Sequence, residues 1–228
     1  MIKAVIFDID NTLYSYDHGH EAGWEALCAY TREHLNLDAA DLDGSIRHSA
    51  QVVTRRLQTP CAALHNRILR FQNLLEERRL PLRHALPMNR VYWDALIAAS
   101  RPSPGAPECL ARLKADGYIL GIGTDMTIDV QLEKLERLGI LSYFDFIVSS
   151  EEANAEKPDP RLFHICVEKA GVRPEECLFL GDNYKKDYLG PQAIGMKALW
   201  YAPEDSSAHP EAKTLTHFAH LPELIKGM

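Results

Sequence analysis

Carboxylates recur in this 228-residue sequence at points where a fold could gather them. Asp8 and Asp10 stand one residue apart at the end of an apolar run, followed by Asn11 and Thr12. Thr124 and Asp125 close a second apolar run, Lys157 precedes Pro158, and Asp182 follows Gly181 with Asp187 five residues further on. By itself Asp-x-Asp reads as a solvated turn, and Asn11 and Thr12 as ordinary turn residues. Brought together, several carboxylates repel, so either some take up protons or a cation sits among them. A hard divalent ion held by carboxylate and carbonyl oxygens, completed by waters and a substrate phosphate, is the magnesium pattern. Lys157 adds a point charge on backbone that the following proline keeps extended. Thr124 brings a hydroxyl, and the helix start behind it brings free N–H groups suited to a phosphate.

To meet, these groups must sit on the ends of neighbouring strands. Ile2 and Ala4 to Phe7 are too uniformly apolar for a strand with a wet face, which places that strand inside a sheet covered on both sides. From Arg101 onward strand and helix patterns alternate. Strands are expected over residues 118–123, 144–148, 177–180 and 197–201, and a tail over 213–226 adds an edge strand and a helix. One helix runs through Leu110 and Leu113 to Gly117. A second is capped by Thr127 with Ile128, Leu132, Leu135 and Leu138 on its apolar face, and a third starts at Asp159-Pro160 and ends at Gly171. This alternation predicts right-handed βαβ units and an α/β fold with a doubly wound parallel sheet, in which ligands collect at the carboxyl ends of the strands.

Residues 19–100 read differently. Trp24, Leu27, Cys28, Thr31 and Leu35 form one helical stripe; Leu42, Ile46, Ala50, Val53 and Leu57 a second, ended by Pro60; Leu64, Ile68, Phe71 and Leu75 a third, closed by Pro81. A fourth is expected to open at Pro87 and to run through Val91, Tyr92, Ala95, Leu96 and Ala99. Four helices with short connections make a bundle. The expected domains are therefore a catalytic core of residues 1–16 and 101–228 and an inserted helical cap of residues 17–100, a lid over the site. His18 and His20 read as solvated loop residues near the junction, and Tyr14 and Tyr16 as hinge or substrate residues.

The formal net charge of −7 argues against general nucleic-acid binding, which needs a basic face. The first strand starts too early for a signal peptide, and no apolar run approaches membrane-spanning length. Five scattered cysteines, none spaced as C-x-x-C, suggest neither a disulfide framework nor a zinc site, and they fit small core residues in a reducing cytoplasm. The expected protein is a cytoplasmic monomer or small homo-oligomer with no membrane or nucleic-acid partner.

Asp8-Ile9-Asp10-Asn11-Thr12-Leu13, Thr124 after an apolar strand, Lys157-Pro158, and Gly181-Asp182 with Asp187 closely resemble, in order, the four motifs of the haloacid dehalogenase superfamily. The resemblance covers the whole chain, and the helical insert is similar to that family's cap placed after the first motif. It implies a Rossmann-like core and Mg²⁺-dependent hydrolysis of a small phosphorylated metabolite. Asp8 would be the nucleophile that forms an aspartyl-phosphate, and Asp10 the general acid/base whose backbone carbonyl is a metal ligand. Thr124 would bind phosphate and Lys157 would steady nucleophile and phosphoryl group; Asp182 would ligate magnesium and Asp187 support it. Asp125 stands where many relatives have Asn and is expected near the phosphate, harmless if the contact there is a backbone N–H and unfavourable if its carboxylate faces the anion.

The chemistry agrees with these roles. A carboxylate attacks a phosphate dianion poorly unless cations cancel the repulsion, as Mg²⁺ and Lys157 would. Asp10 suits proton transfer provided its surroundings lift its pKa toward neutrality. A phosphosugar mutase shares these acids; a haloacid dehalogenase uses no metal and lacks the second Asp, and a non-catalytic scaffold has no use for the set. For specificity, Arg47, Arg55, Arg56, Arg67, Arg70, Arg78, Arg79, Arg83 and Arg90 face only Glu76 and Glu77 over the same span. Most are expected on exposed helix surface, with one or two positioned to favour an anionic leaving group.

Overall fold

The computed structural model describes residues 1–204 and 207–228. The chain divides into two compact units, Met1–Ser15 with Arg101–Met228, and Tyr16–Ser100. The first strand, β1 (Ala4–Phe7), is buried at every residue, as its unbroken apolar pattern requires.

The second unit holds α1 (Tyr16–Leu35), α2 (Ala39–Leu57), α3 (Arg67–Glu77) and α4 (Ala85–Ala99). Asp38 caps α2, accepting from the Asp41 N–H at 2.8 Å, and Asn66 caps α3 by accepting from Ile68 N–H at 3.0 Å. The fourth helix starts at Ala85, so Pro87 lies inside its first turn, where a missing N–H is still harmless, and does not open it. His18 and His20 fall on α1 and not on a loop. Close packing joins α1 to α4 through glycines spaced one helical turn apart. A Cβ on Gly19 would lie 2.7 Å from Ser100 Oγ, and one on Gly23 would lie 2.8 Å from the Tyr92 carbonyl oxygen.

After the insert come α5 (Ala106–Ala115), β2 (Ile119–Thr124), α6 (Ile128–Arg137), β3 (Phe146–Ser149), α7 (Ser150–Ala153), α8 (Pro160–Ala170), β4 (Cys177–Gly181), α9 (Gly190–Gln192), β5 (Lys197–Tyr201), β6 (Thr214–Leu215) and α10 (Leu221–Lys226). Asp159 and Gly171 bound α8 as cap and left-handed stop. The six strands form one parallel sheet in the order β3-β2-β1-β4-β5-β6. Ala4 and Ile6 share one apolar cluster with Phe179 and with Leu162, Phe163 and Cys166 of α8, while Val5 and Phe7, pointing the other way, are equally buried. Both faces of the sheet are therefore covered.

The strand order also marks where a site belongs. From β1 the chain passes to β2 on one side, and from β4 it passes to β5 on the other, so the direction of winding reverses between these two neighbours. At such a switch point the departing loops separate and leave a crevice at the carboxyl ends of the strands. All five cysteines are free, and among the described residues no helix is long and apolar enough to cross a membrane.

The glycine contact between α1 and α4 yields a stability test. Gly23→Ala forces a methyl against a backbone carbonyl and should destabilise the helical unit by about 1–3 kcal/mol, as overpacking does. Urea unfolding followed by tryptophan fluorescence measures it, and an unchanged midpoint would show that the two helices separate freely.

Candidate active site

Phe7 pairs with Leu180, so the residues that follow each strand leave the sheet side by side. The Asp8 N–H donates to Leu180 O at 2.9 Å, which fixes the Asp8 backbone at the rim of the crevice. Thr12, fully buried, accepts from the Asp182 N–H at 3.1 Å, and the Trp200 indole donates to Asp182 O at 2.6 Å. Thr12 is thus a tie between the β1 and β4 loops, a stronger role than that of an ordinary turn residue. Asp187 lies in a wide helical turn, Tyr184–Leu189, capped by Asn183, and its Oδ2 accepts from the Asn183 N–H at 3.0 Å. Gly181 is required by this arrangement: a Cβ there would stand 2.5 Å from the Asp187 carboxyl carbon.

The result is an acidic triad. One carboxylate oxygen each from Asp8, Asp182 and Asp187 lies within 4.8 Å of the others. Lys157 enters from the loop ahead of α8, its ammonium 2.7 Å from Asp8 Oδ1 and 2.8 Å from Asp187 Oδ1, and both Lys157 and Asp8 are buried. Burial raises the pKa of Asp8 well above the carboxylate range, Lys157 opposes this, and Asp187 and Asp182 add to it. Asp182 is lifted to about 6, by burial first and then by Asp187. Lys157 shows the converse: burial disfavours its charge, but Asp187 and Asp8 more than offset that and push its pKa up. Three crowded carboxylates with one ammonium leave negative charge uncompensated. Hard oxygen donors in this state fit a divalent cation, to which Asp8, Asp182 and Asp187 would be the side-chain ligands.

Asp10 does not join the triad. Its Oδ1 accepts from Lys134 Nζ at 2.6 Å and from the Tyr14 hydroxyl, and its Oδ2 lies 3.1 Å from Gln131 Nε2. Burial alone would raise its pKa, but the charge and hydrogen bond of Lys134, with those of Tyr14 and Gln131, hold it below the ordinary value. The condition set for proton transfer, surroundings that lift Asp10 toward neutrality, is not met here, because a buried ammonium faces it. Any metal ligand from Asp10 has to be its backbone.

Gln131 and Lys134 are the residues that sequence reasoning missed. Both are buried on α6, whereas Leu132, assigned to the apolar face, is exposed. Helical period did put 131, 134 and 135 on one side, and a Gln and a Lys in such a stripe were the available signal. Gln131 also donates to Thr124 Oγ1 at 2.7 Å and to Asp125 O at 2.9 Å. Thr124 is buried and donates to Asp125 O at 3.1 Å. Both Asp125 oxygens are taken: Oδ1 accepts from the Lys157 N–H at 3.0 Å, and Oδ2 from Lys186 Nζ at 2.7 Å. Its charge is paired and its side chain positions the lysine loop, with no donor to offer a phosphate.

The family profile for haloacid dehalogenase-like hydrolases matches residues 2–195. The chain belongs to the haloacid dehalogenase-like hydrolase family. A ribulose-1,5-bisphosphate 5-phosphatase of Halopiger xanaduensis is 32% identical over 210 residues, covering 91% of this chain and 87% of the relative. A phosphoserine phosphatase of Thermus thermophilus is 37% identical over 242 aligned positions, covering 93% and 95%. A phosphatase of the same family from Thermococcus onnurineus superposes with a TM-score of 0.73 at 22% identity, over 98% of both chains, which establishes the shared fold. The chain is accordingly an enzyme of this hydrolase family.

The raised acids predict how a cation and pH act together. A carboxyl whose folded pKa exceeds its unfolded one stabilises the fold at low pH, and loses that contribution as pH rises from the ordinary 3.8 to about 6 for Asp182. A divalent cation competes with those protons. Mg²⁺ should therefore raise Tm more at about pH 7.5 than at about pH 5, in thermal denaturation at equal ionic strength. An equal or larger shift in acid would show that the cation does not bind these carboxylates.

Proposed function

We propose that the chain is a Mg²⁺-dependent phosphatase that hydrolyses the monoester of a small metabolite. The observation that carries the reading is the buried Asp8 carboxylate at the end of β1, 2.7 Å from the Lys157 ammonium and edged by Asp182 and Asp187. An ion pair of this kind on an open strand end serves a nucleophile, since a purely structural carboxylate gains nothing from two further acids beside it. The phosphatase names of the relatives support the same reaction class.

In the first step an Asp8 oxygen attacks phosphorus as the bond to the leaving oxygen breaks, and that oxygen leaves with the electron pair and takes up a proton. The aspartyl-phosphate is then opened by water, which loses a proton as its oxygen bonds to phosphorus. Lys157 stands beside the nucleophile and offsets the charge that builds on the phosphoryl oxygens. Mg²⁺, held by Asp8, Asp182 and Asp187, would supply the remaining positive charge that lets two anions approach. Asp10, kept ionised by Lys134, is in the form that accepts a proton, but beside that ammonium its proton affinity is low, so taking the proton of the attacking water requires it to part from Lys134. Gln131 holds the Thr124 hydroxyl in place for the phosphate.

Asp8→Asn should abolish hydrolysis of an aryl phosphate in a chain that still folds by circular dichroism, since Lys157 keeps Asp187 at 2.8 Å, and excess chelator should abolish it in the parent. Turnover surviving either treatment would assign the nucleophile or the cation elsewhere. Lys134→Met tests the setting of Asp10. Removing an adjacent opposite charge should move the acidic limb of the pH profile for hydrolysis of the aspartyl-phosphate, in which Asp8 is esterified and does not titrate, upward by roughly 1 to 3 pH units. A limb that stays in place would show that Lys134 does not control the base.

A further inference from the structure

Asp125 takes no part in the hydrolysis described above, yet it is charged and directly follows Thr124 at the end of β2. A group meant to receive a phosphate should have neutral or positive neighbours, and Asp125 is instead a further anion close to Asp8, Asp182 and Asp187. Burial lowers the pKa of Lys157, and Asp187, Asp8 and then Asp125 raise it, so the Asp125 charge is felt at the ammonium beside the nucleophile. Left alone, that charge would repel an incoming phosphate dianion.

Among the described residues Lys186 is the one cationic side chain that pairs with it. The Lys186 ammonium lies 2.7 Å from Asp125 Oδ2 and 3.6 Å from Glu156 Oε2. These three residues stand on three different loops. Asp125 follows β2, Glu156 precedes Lys157 in the loop ahead of α8, and Lys186 precedes Asp187 in the turn after β4. Strand order places β2 and β4 on either side of β1, so one ammonium links the two loops that flank the nucleophile strand and also touches the lysine loop. The contact is sheltered, with the Asp125 side chain 13% exposed and that of Lys186 33%. A partly buried pair of this kind is screened only weakly by salt. The other Asp125 oxygen, Oδ1, accepts the Lys157 N–H at 3.0 Å, so the carboxylate cannot turn away from the site without releasing the lysine loop.

We propose that Lys186 is a positioning residue of the phosphate site, cancelling the Asp125 charge so that this side chain can hold the Lys157 loop without repelling the substrate. The proposal rests on the hydrolysis reading above. It makes Asp125 and Lys186 a coupled pair, in which the carboxylate is tolerated beside the phosphate only while the ammonium is present.

The test measures binding of inorganic phosphate to the full chain in Mg²⁺ by calorimetry, where nothing is turned over. Lys186→Met should weaken phosphate binding by roughly tenfold or more, as an uncompensated carboxylate near an anion does. Adding Asp125→Asn removes that carboxylate, and the double variant should return to within about threefold of the parent, because the Asn side-chain oxygen still accepts from the Lys157 N–H. Lys186→Arg keeps the charge and should also stay within about threefold of the parent. A residue that merely braced the turn would give the opposite pattern, with the double variant no better than Lys186→Met. Should Lys186→Met not fold, Lys186→Gln, which keeps a donor without the charge, takes its place with the same expectation. If the parent turns over an aryl phosphate but its phosphate affinity is indifferent to loss of the Lys186 charge, or the double variant shows no recovery, the proposal is overturned and the hydrolysis reading stands. A parent that neither binds phosphate nor turns over an aryl phosphate overturns both.

Discussion

The ion pair between Lys157 and Asp8 is the constraint around which the catalytic unit is built. A buried ammonium and a buried carboxylate each lose hydration, and neither is tolerable without the other. Both sit at the carboxyl ends of the central sheet, and Asp187 completes the pairing from the β4 side. The surrounding backbone is arranged to keep this contact closed: Thr12 ties the β1 and β4 loops, Asp125 holds the Lys157 backbone N–H, and Gly181 leaves room for Asp187. One lysine cannot neutralise three acids, so the same packing that secures Lys157 also creates the demand for a cation.

A second ion pair, Lys134 with Asp10, divides the four acids by their electrostatics. Asp8 and Asp182 are pushed toward the protonated form, while Asp10 is held ionised only two residues from Asp8. Opposite shifts in neighbouring carboxyls are what separate roles in acid and base chemistry. The separation comes from α6, a helix between motifs, whose Gln131 joins Asp10, Thr124 and the Asp125 carbonyl in one hydrogen-bonded group.

The helical unit follows a different logic. Glycines let α1 and α4 approach to backbone contact, which brings Tyr16, His20 and Tyr92 into one hydrogen-bonded set. Across the cleft that these residues line, α3 turns its two arginines, Arg67 and Arg70, inward, whereas Arg47, Arg55, Arg78, Arg83 and Arg90 elsewhere in the unit are exposed. Packing strength and cleft polarity therefore come from separate faces of the same bundle.

The strands, the α5, α6 and α8 helices and the four-helix insert were legible in the sequence because each follows from local periodicity and local stop signals. Continuous apolar runs demanded buried strands, and Asp159-Pro160 and Gly171 could only bound a helix. The acids at strand ends were legible for the same reason, since a carboxylate directly after a buried strand must emerge at its edge. What the tertiary structure decided is which polar groups become partners. Strand order brought β4 beside β1, and so Asp182 and Asp187 to Asp8, across more than 170 residues of chain. It also buried Gln131 and Lys134 in place of Leu132, and turned Arg67 and Arg70 inward. Periodicity reports which residues share a face, but the charge a buried side chain meets depends on contacts distant in sequence, and those set its pKa.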